Sequence, residues 1–323
     1  MTKIGVISNP HSHRNKRERR TGDMRRSLRP GDCREILSDI ADLPGILADF
    51  ARREVGVVVI DGGDGTVQAT LTALFNGEVA YEPTPLLTVL RRGMTNVIGD
   101  DVGLRGRPEA ALARLVGLAG DDDLDRFIVE RNAIRLSFDP AIAPRYGMFF
   151  GGAAIYRATL ACRKHVHPLG ASASAAIGLT LSGLVLHWLI SGGRGNGNGV
   201  LRGDRISVAF DDDEHREGCY FAMIVSTLDR LTLNSRPFWG PGDGALRYTS
   251  VAYPPRRFVR SLFPLLYGGP DRNLPNGDYV SRTADVIALS MTCPFVLDGE
   301  LFTPVEGRPV VLSGGRTARF VRC

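Results

Sequence analysis

Ten residues constrain this chain more than any others: Val57-Val58-Val59-Ile60-Asp61-Gly62-Gly63-Asp64-Gly65-Thr66. Unbroken apolar residues fit a strand covered on both faces, as in the middle of a parallel sheet. A pair of glycines ends the run, and Val67 to Phe75 then reads as a helix. At such a junction backbone N–H groups gather at a helix N-terminus, and glycines let an anion approach them closely. Asp64 cannot bind a phosphate directly, so it points to contact through Mg²⁺ or to positioning of an acceptor hydroxyl. No GxxxxGK[ST] segment is present, which disfavours a Walker-type NTPase.

The residues around this segment extend the pattern. Ile4 to Ser8 and Leu86 to Leu90 read as further strands, Pro108 to Leu118 as a helix, and Gly93 to Asn96 as a turn leading into a helix through Ile98. Ile36, Ile40, Leu43, Leu47 and Phe50 recur at helical spacing, with Pro44 placed to start a fresh helix within the stretch. Strands alternating with helices predict βαβ units on a parallel sheet. Beyond the acidic run Gly120 to Asp125 the pattern changes to short strands separated by Gly, Pro and Asp: 126–138, 146–152, 205–210, 220–226, 246–252, 286–290 and 295–297. The expected architecture is therefore an α/β nucleotide-binding domain over 1–125, with a C-terminal return over 302–323, and a β-rich, sandwich-like domain over 126–301. A chain of 323 residues is long enough for two such units.

Composition narrows the class. With 43% apolar and 23% charged residues the chain is neither disordered nor a multi-span membrane protein. The net charge is +5, and Lys3, Lys16 and Lys164 are the only lysines among 40 basic residues. This balance suits an acidic partner such as phosphate or an anionic membrane, and equally suits an arginine-rich genome. The basic loop Arg14, Lys16, Arg17, Arg19, Arg20, Arg25 and Arg26 could meet ATP phosphates, rest on an anionic membrane or be a solvated charge run. It has no interleaved aromatics, so nucleic acid is not an expected partner. Five cysteines without CxxC spacing, and an opening with no signal-peptide architecture, predict a cytoplasmic protein, with peripheral membrane contact allowed. Leu169 to Ile190 carries no formal charge and is long enough to span a bilayer, but its Gly, Ser, Thr and His187 favour a buried helix of the second domain. His165 and His167 have no carboxylate or Cys at ligand spacing and read as surface or packing residues.

With Gly62-Gly63-Asp64-Gly65-Thr66 the chain resembles the diacylglycerol kinase catalytic-domain group, which includes bacterial lipid kinases and sphingosine and ceramide kinases and is more distantly akin to NAD kinases. Three further elements follow in order. Ser8-Asn9-Pro10 resembles the family's nucleotide-contacting turn. Gly93-Met94-Thr95-Asn96, with Gly103-Leu104 seven residues on, is similar to its Gly-Thr-x-Asn segment. Leu297-Asp298-Gly299-Glu300 resembles its Asp-Gly-Glu motif. By itself, Asp298-Gly299 between apolar runs would also make a hairpin turn. A fourth, Gly240-Pro241-Gly242-Asp243-Gly244-Ala245-Leu246, is similar to a stretch that holds a structural Mg²⁺, and alone would read as a Gly-Asp turn.

The resemblance implies an ATP- and Mg²⁺-dependent kinase acting on a lipid alcohol such as diacylglycerol. It implies nucleotide contacts from Asn9, Gly62, Gly63, Asp64, Gly65, Thr66, Thr95 and Asn96, and Glu300 as the base that takes the acceptor's proton, with Asp298 in support and Asp64 in the catalytic set. It implies Asp243 as side-chain ligand of the structural metal, with the carbonyls of Gly240 and Ala245. Ala69, where the family usually has an acidic residue, and Arg91-Arg92, in place of a Pro-rich approach, depart from the pattern. Two rivals stay open: an NAD kinase-like enzyme, and a catalytically silent nucleotide- or lipid-binding protein. The particular lipid and the oligomeric state are not fixed by the sequence.

Overall fold

The computed structural model describes residues 1–12, 27–93, 95–121, 123–163, 202–275 and 277–323. The basic loop 14–26, Met94, His165, His167 and the apolar segment 169–190 lie outside the described residues. The chain divides into two units: Met1–Ala133 with Arg145–Gly147 and Arg316–Cys323, and Ile134–Pro144 with Met148–Gly315. The first unit thus runs past the expected boundary at 125, and the C-terminal return starts at Arg316 instead of 302. The reason is that two long strands, described below, each contribute residues to both units.

In the first unit β1 (Lys3–Ser8), β2 (Cys33–Ile36), α1 (Leu43–Arg52), β3 (Val55–Gly62), α2 (Asp64–Phe75), β4 (Leu86–Arg91), α3 (Val97–Val102) and α4 (Pro108–Gly120) follow one another. The sheet order is β4-β3-β1-β2, and its pairings are parallel. Strand β3 is central, which is why its side chains are apolar without alternation: Val57, Val58, Val59 and Ile60 are all fully buried. Ile4, Val6, Val57 and Val59 pack with Leu112 and Leu115 of α4 in one core. Helix α1 places Phe50 beside β1. A Cβ on Gly5 would lie 2.6 Å from the Phe50 ring, so only glycine leaves that ring its place.

The helical spacing read across Ile36 and Ile40 does not hold. Ile36 ends β2 and is 52% exposed, while Ile40 opens a short 3₁₀ turn and is 47% exposed. Asp39 and Asp42 form a capping box at that turn, so the helical stretch is cut off before Leu43. The apolar face of α1 is Leu43, Leu47 and Phe50. Residues 33–36 are instead drawn into the sheet by register with Gly5 to Ser8.

Strand β5 (Ile128–Ser137) contributes its first residues to the first unit and its last to the second. The strand expected over 146–152 is broken in two. Its first piece, β6 (Arg145–Gly147), belongs to the first unit, where Phe75 and Tyr146 meet edge-on at 5.4 Å. Its second piece, β7 (Phe149–Ala153), opens the second unit's main run.

The second unit continues with α5 (Ala154–Ala161), β8 (Asp204–Phe210), β9 (His215–Ser226), β10 (Leu246–Ala252), α6 (Phe258–Tyr267), β11 (Tyr279–Ala284), β12 (Val286–Met291), β13 (Phe295–Leu297) and β14 (Glu300–Phe302). These strands pair antiparallel, and the order β14-β13-β7-β9-β8-β12 carries a branch at β9 through β10 to β11. Phe150, Tyr248, Ile287, Leu289 and Phe295 lie in its core, and Phe295 stacks on Phe302 at 5.6 Å. The last strand, β15 (Val310–Val321), pairs with β12 through Val310 to Ser313 and, farther on, with β4 through Phe320 and Leu87. The fold is thus an α/β region followed by an all-β region. Among the described residues no helix is long and apolar enough to cross a membrane.

Candidate functional site

The first unit brings three of the singled-out segments together: Ser8-Asn9-Pro10, the glycine loop and the Gly93 turn. Helix α2 begins at Asp64 after Gly63, and Gly63 offers no side chain to cap the first turn. An uncapped N-terminus preceded by glycines leaves donors and the positive end of the helix dipole for an anion, so the residues present suit a nucleotide phosphate. Asn9 frames the loop: its backbone N–H donates to the Asp61 carbonyl at 2.9 Å, and its side-chain amide donates to the Thr66 hydroxyl at 2.9 Å.

The glycine loop and the Gly93 turn lie backbone against backbone. A Cβ on Gly93 would sit 2.8 Å from Cα of Gly63, and one on Gly63 would sit 3.0 Å from Cα of Gly93. Gly93 therefore admits no side chain without a shift of backbone, and Gly63 admits one only as a tight fit. The turn is shaped by Asn96, whose side-chain oxygen accepts from Gly93 N–H at 2.7 Å while its amide donates to the Gly93 carbonyl at 3.0 Å. Asn96 itself stands in the left-handed region at φ 50° and begins α3, a conformation that Asn tolerates better than most residues.

Asp64 fastens the two loops. Its carboxylate accepts from the Thr95 hydroxyl at 2.9 Å and from the backbone N–H groups of Val97 and Ile98 at 3.0 and 3.1 Å. It thereby supplies the first turn of α3 with the acceptor that the Asn96 side chain does not. Burial pushes the Asp64 carboxyl above its ordinary range, opposed by these three donors. With most of its acceptor capacity used inside the protein, Asp64 is built as a clasp between loops, and only one lone-pair direction stays open to a cation or hydroxyl.

Beneath the loop Arg92, marked in the sequence only as a departure from the family pattern, has a buried partner. Arg92 Nε lies 3.3 Å from Asp61 Oδ1, with side-chain exposures of 4% and 0%. Arg92 also reaches Glu109 at 2.9 Å, and its backbone N–H donates to the Gly62 carbonyl at 3.3 Å. Its signal in the sequence is a charged residue closing each of two apolar runs, Asp61 at the end of one and Arg92 just after the other. Arg91, its neighbour, points elsewhere, to Asp100 at 2.9 Å.

In the second unit, Asp298 and Gly299 form the tip of a two-residue hairpin and Glu300 follows directly. Leu297 pairs with Glu300, and Asp298 and Gly299 have φ of 48° and 86°. The hairpin turn that Asp298-Gly299 offers by itself is thus present within the segment that resembles the Asp-Gly-Glu motif. Asp298 is buried and accepts from the backbone N–H groups of Met148 at 3.0 Å and Phe149 at 2.8 Å. These bonds occupy the break between β6 and β7, which is why that strand divides. Glu300 is different: its side chain is 50% exposed, with Arg163 at 3.6 Å, and Arg163 also donates to the Gly299 carbonyl. Arg163 lies in none of the segments that the sequence pattern marks.

The Gly240–Ala245 loop packs against β11 and Asp285, which follows it. Trp239 and Gly240 N–H groups donate to the Ser281 hydroxyl, and Ala245 N–H donates to Asp285 at 2.9 Å. Asp243 is exposed. One carboxylate with neighbouring carbonyls is a sparse donor set, and no group of three or more His, Cys, Asp or Glu able to hold a metal occurs among the described residues.

Residues 3–121 match the family model described as the diacylglycerol kinase catalytic domain. That stretch contains the whole glycine-loop assembly, so the match and the assembled loops fall on the same residues. Structurally, the chain is similar to a putative diacylglycerol kinase from Bacillus anthracis, with a TM-score of 0.64 at 14% identity over 99% of this chain and 97% of that one. Two further diacylglycerol kinase structures from the same organism give TM-scores of 0.62 and 0.61 at 15% and 13% identity, each over 99% of this chain and 96% of theirs. The fold of the chain is that of these proteins. A search of the curated proteins finds no match.

Proposed function

We propose that the chain is an ATP-dependent lipid kinase that transfers the γ-phosphate to a hydroxyl of a lipid alcohol such as diacylglycerol. The observation that carries this reading is the Asp64 clasp between the two glycine turns at the uncapped N-terminus of α2, within the stretch that matches the diacylglycerol kinase catalytic domain. In this reading the nucleotide phosphates rest on backbone N–H groups of Gly62 to Thr66, and Mg²⁺ supplies charge neutralisation when it arrives with ATP. Asn9 and Asn96 hold the turns in shape, and Asp64 and Thr95 keep them closed on one another. Glu300, the exposed carboxylate of the hairpin, takes the proton of the acceptor hydroxyl as its oxygen attacks the γ-phosphorus and ADP departs. Asp298 is a positioning residue that fixes the hairpin bearing Glu300. Asp243, with the carbonyls of Gly240 and Ala245, is the candidate for a structural Mg²⁺.

One observation favours a second reading. Both Asp64 and Asp298 spend their carboxylates on protein donors, as a nucleotide-binding protein without turnover would allow. Phosphate transfer from γ-labelled ATP to a panel of lipid alcohols in mixed micelles, with NAD as control acceptor, separates the possibilities. Labelled lipid that disappears in Glu300→Gln supports the kinase reading and names the substrate class. Label on NAD alone moves the chain to the soluble-acceptor class, and bound ATP with no labelled acceptor favours the silent binder.

A further inference from the structure

Helix α6 buries one face and leaves another bare. Phe258, Ser261 and Leu265 are buried, in a core with Phe221 and Val251. On the opposite side Val259, Phe263 and Tyr267, four residues apart, are 40%, 72% and 43% exposed. The Phe263 and Tyr267 rings meet at a tilt with centroids 5.4 Å apart, and the Tyr267 hydroxyl donates to the Leu233 carbonyl at 3.3 Å. Leu233 is itself 41% exposed, so the apolar surface extends from the helix onto the neighbouring turn.

This surface is held firmly. Arg272 donates to the carbonyls of Leu265 and Gly268 at 2.6 Å each, closing the C-terminal end of the helix, and lies 4.6 Å over the Trp239 ring. Arg236 N–H donates to the Leu266 carbonyl at 2.7 Å, tying the turn to the helix.

Arginines outnumber carboxylates around it. Between Pro254 and Pro270 the chain carries Arg256, Arg257 and Arg260 and no acidic residue, and between Arg230 and Gly242 it carries two arginines and none. Arg256 is paired with Asp278. Arg257 and Arg260 are exposed, and neither has a carboxylate partner among the described residues. Helical geometry sets Arg260 about 60° around from Phe263. An apolar, aromatic stripe flanked by arginines matches an anionic bilayer, whose headgroups take the cations while the rings enter the acyl boundary.

We propose that this face of α6 is a docking surface for an anionic lipid bilayer. The inference deepens the lipid-kinase reading by giving the enzyme a route to acceptors that reside in membranes, and it rests on that reading only for its purpose. Binding is tested without ATP, so that a failed kinase assay and a failed docking assay remain separate results.

The full chain is sedimented with vesicles of phosphatidylcholine, with and without phosphatidylglycerol, beside Phe263→Ser and Arg260→Glu. The expected result is binding that depends on phosphatidylglycerol and falls about tenfold in each variant, with unchanged melting temperature. Absence of binding by the unaltered chain, or equal binding by both variants, overturns the proposal. Phe263→Cys carrying a polarity-sensitive fluorophore, in a background with Cys219→Ser and Cys323→Ser so that the accessible native thiols are not labelled, reports the occupant directly. A blue shift on adding anionic vesicles supports the bilayer, whereas emission already blue without vesicles shows that another part of this chain or a second copy covers the face, and overturns it.

Discussion

The hydroxyl of Thr95 donates to Oδ2 of Asp64 at 2.9 Å, so that a residue of the Gly93 turn is fastened to the first turn of the helix behind the glycine loop. The same carboxylate caps Val97 and Ile98. Thr95→Val removes one charge-assisted bond and should cost about 1–2 kcal/mol, whereas Asp64→Ala strands two backbone donors and should cost about 2–4 kcal/mol. Chemical denaturation gives both values, and ATP titration should show affinity falling in the same order.

Close approach of Gly63 to Gly93 leaves no space for a methyl group on Gly93. Gly93→Ala should destabilise the first unit by about 1–3 kcal/mol and weaken ATP binding at least about tenfold, because the turn must shift to admit a Cβ. Gly117, in α4 with nothing within 4 Å of a built Cβ, is the matched control. Gly117→Ala should stabilise the chain by about 0.5–1 kcal/mol and leave ATP binding unchanged.

Arg92 and Asp61 are buried together. Removing one partner leaves a buried charge, so Arg92→Met should lose about 3–5 kcal/mol, while the double change Asp61→Asn with Arg92→Met should recover much of that loss. A double-mutant cycle in urea measures the coupling. Near-additive losses would mean that Glu109 carries the Arg92 charge by itself.

Glu300 and Asp298 should separate in kinetics. Glu300→Gln should abolish phosphate transfer with ATP affinity and melting temperature preserved, since its side chain is half exposed. Asp298→Ala should lower both turnover and stability, by about 2–3 kcal/mol for the latter, because two backbone donors lose their acceptor.

Arg256 hydrogen-bonds to both oxygens of Asp278 at 2.7 Å and holds that carboxyl below its ordinary value. A depressed folded-state value means that the pair's stabilisation is present above the unfolded value and lost as pH falls through the folded one. Melting temperature should therefore decline below about pH 4, and Asp278→Asn should start lower at neutral pH and lose that part of the decline.

How much of this was legible in the sequence differs element by element. Strand β3, the glycine loop, α2 and the helix at Pro108 were readable because burial on two faces, or on one face in 3.6-residue steps, leaves a periodic trace. Strand β2 was not, since Cys33 to Ile36 are strand only by virtue of register with β1. Nor were α6 and β11: Pro264 stands inside that helix, and the polar residues of Tyr279–Ala284 hide a strand fixed by its pairing with Leu246–Val251. The motif residues Asn9, Asp64, Asn96 and Asp298 were all nameable in advance, but their tasks were not.

The sequence by itself determined where the chain turns from strand to helix over glycine, and that four separated segments carry one family's pattern. Only the tertiary structure decided what each polar atom meets: that Asp64 closes on Thr95, Val97 and Ile98, that Arg92 lies under the loop against Asp61, and that Asp298 is consumed by Met148 and Phe149 while Glu300 stays exposed. The physical reason is range. Hydrophobic period and turn chemistry act over a few residues and leave their mark there, whereas the partner of a buried carboxylate stands 31 or 150 residues away and is chosen only when the strands and helices have packed.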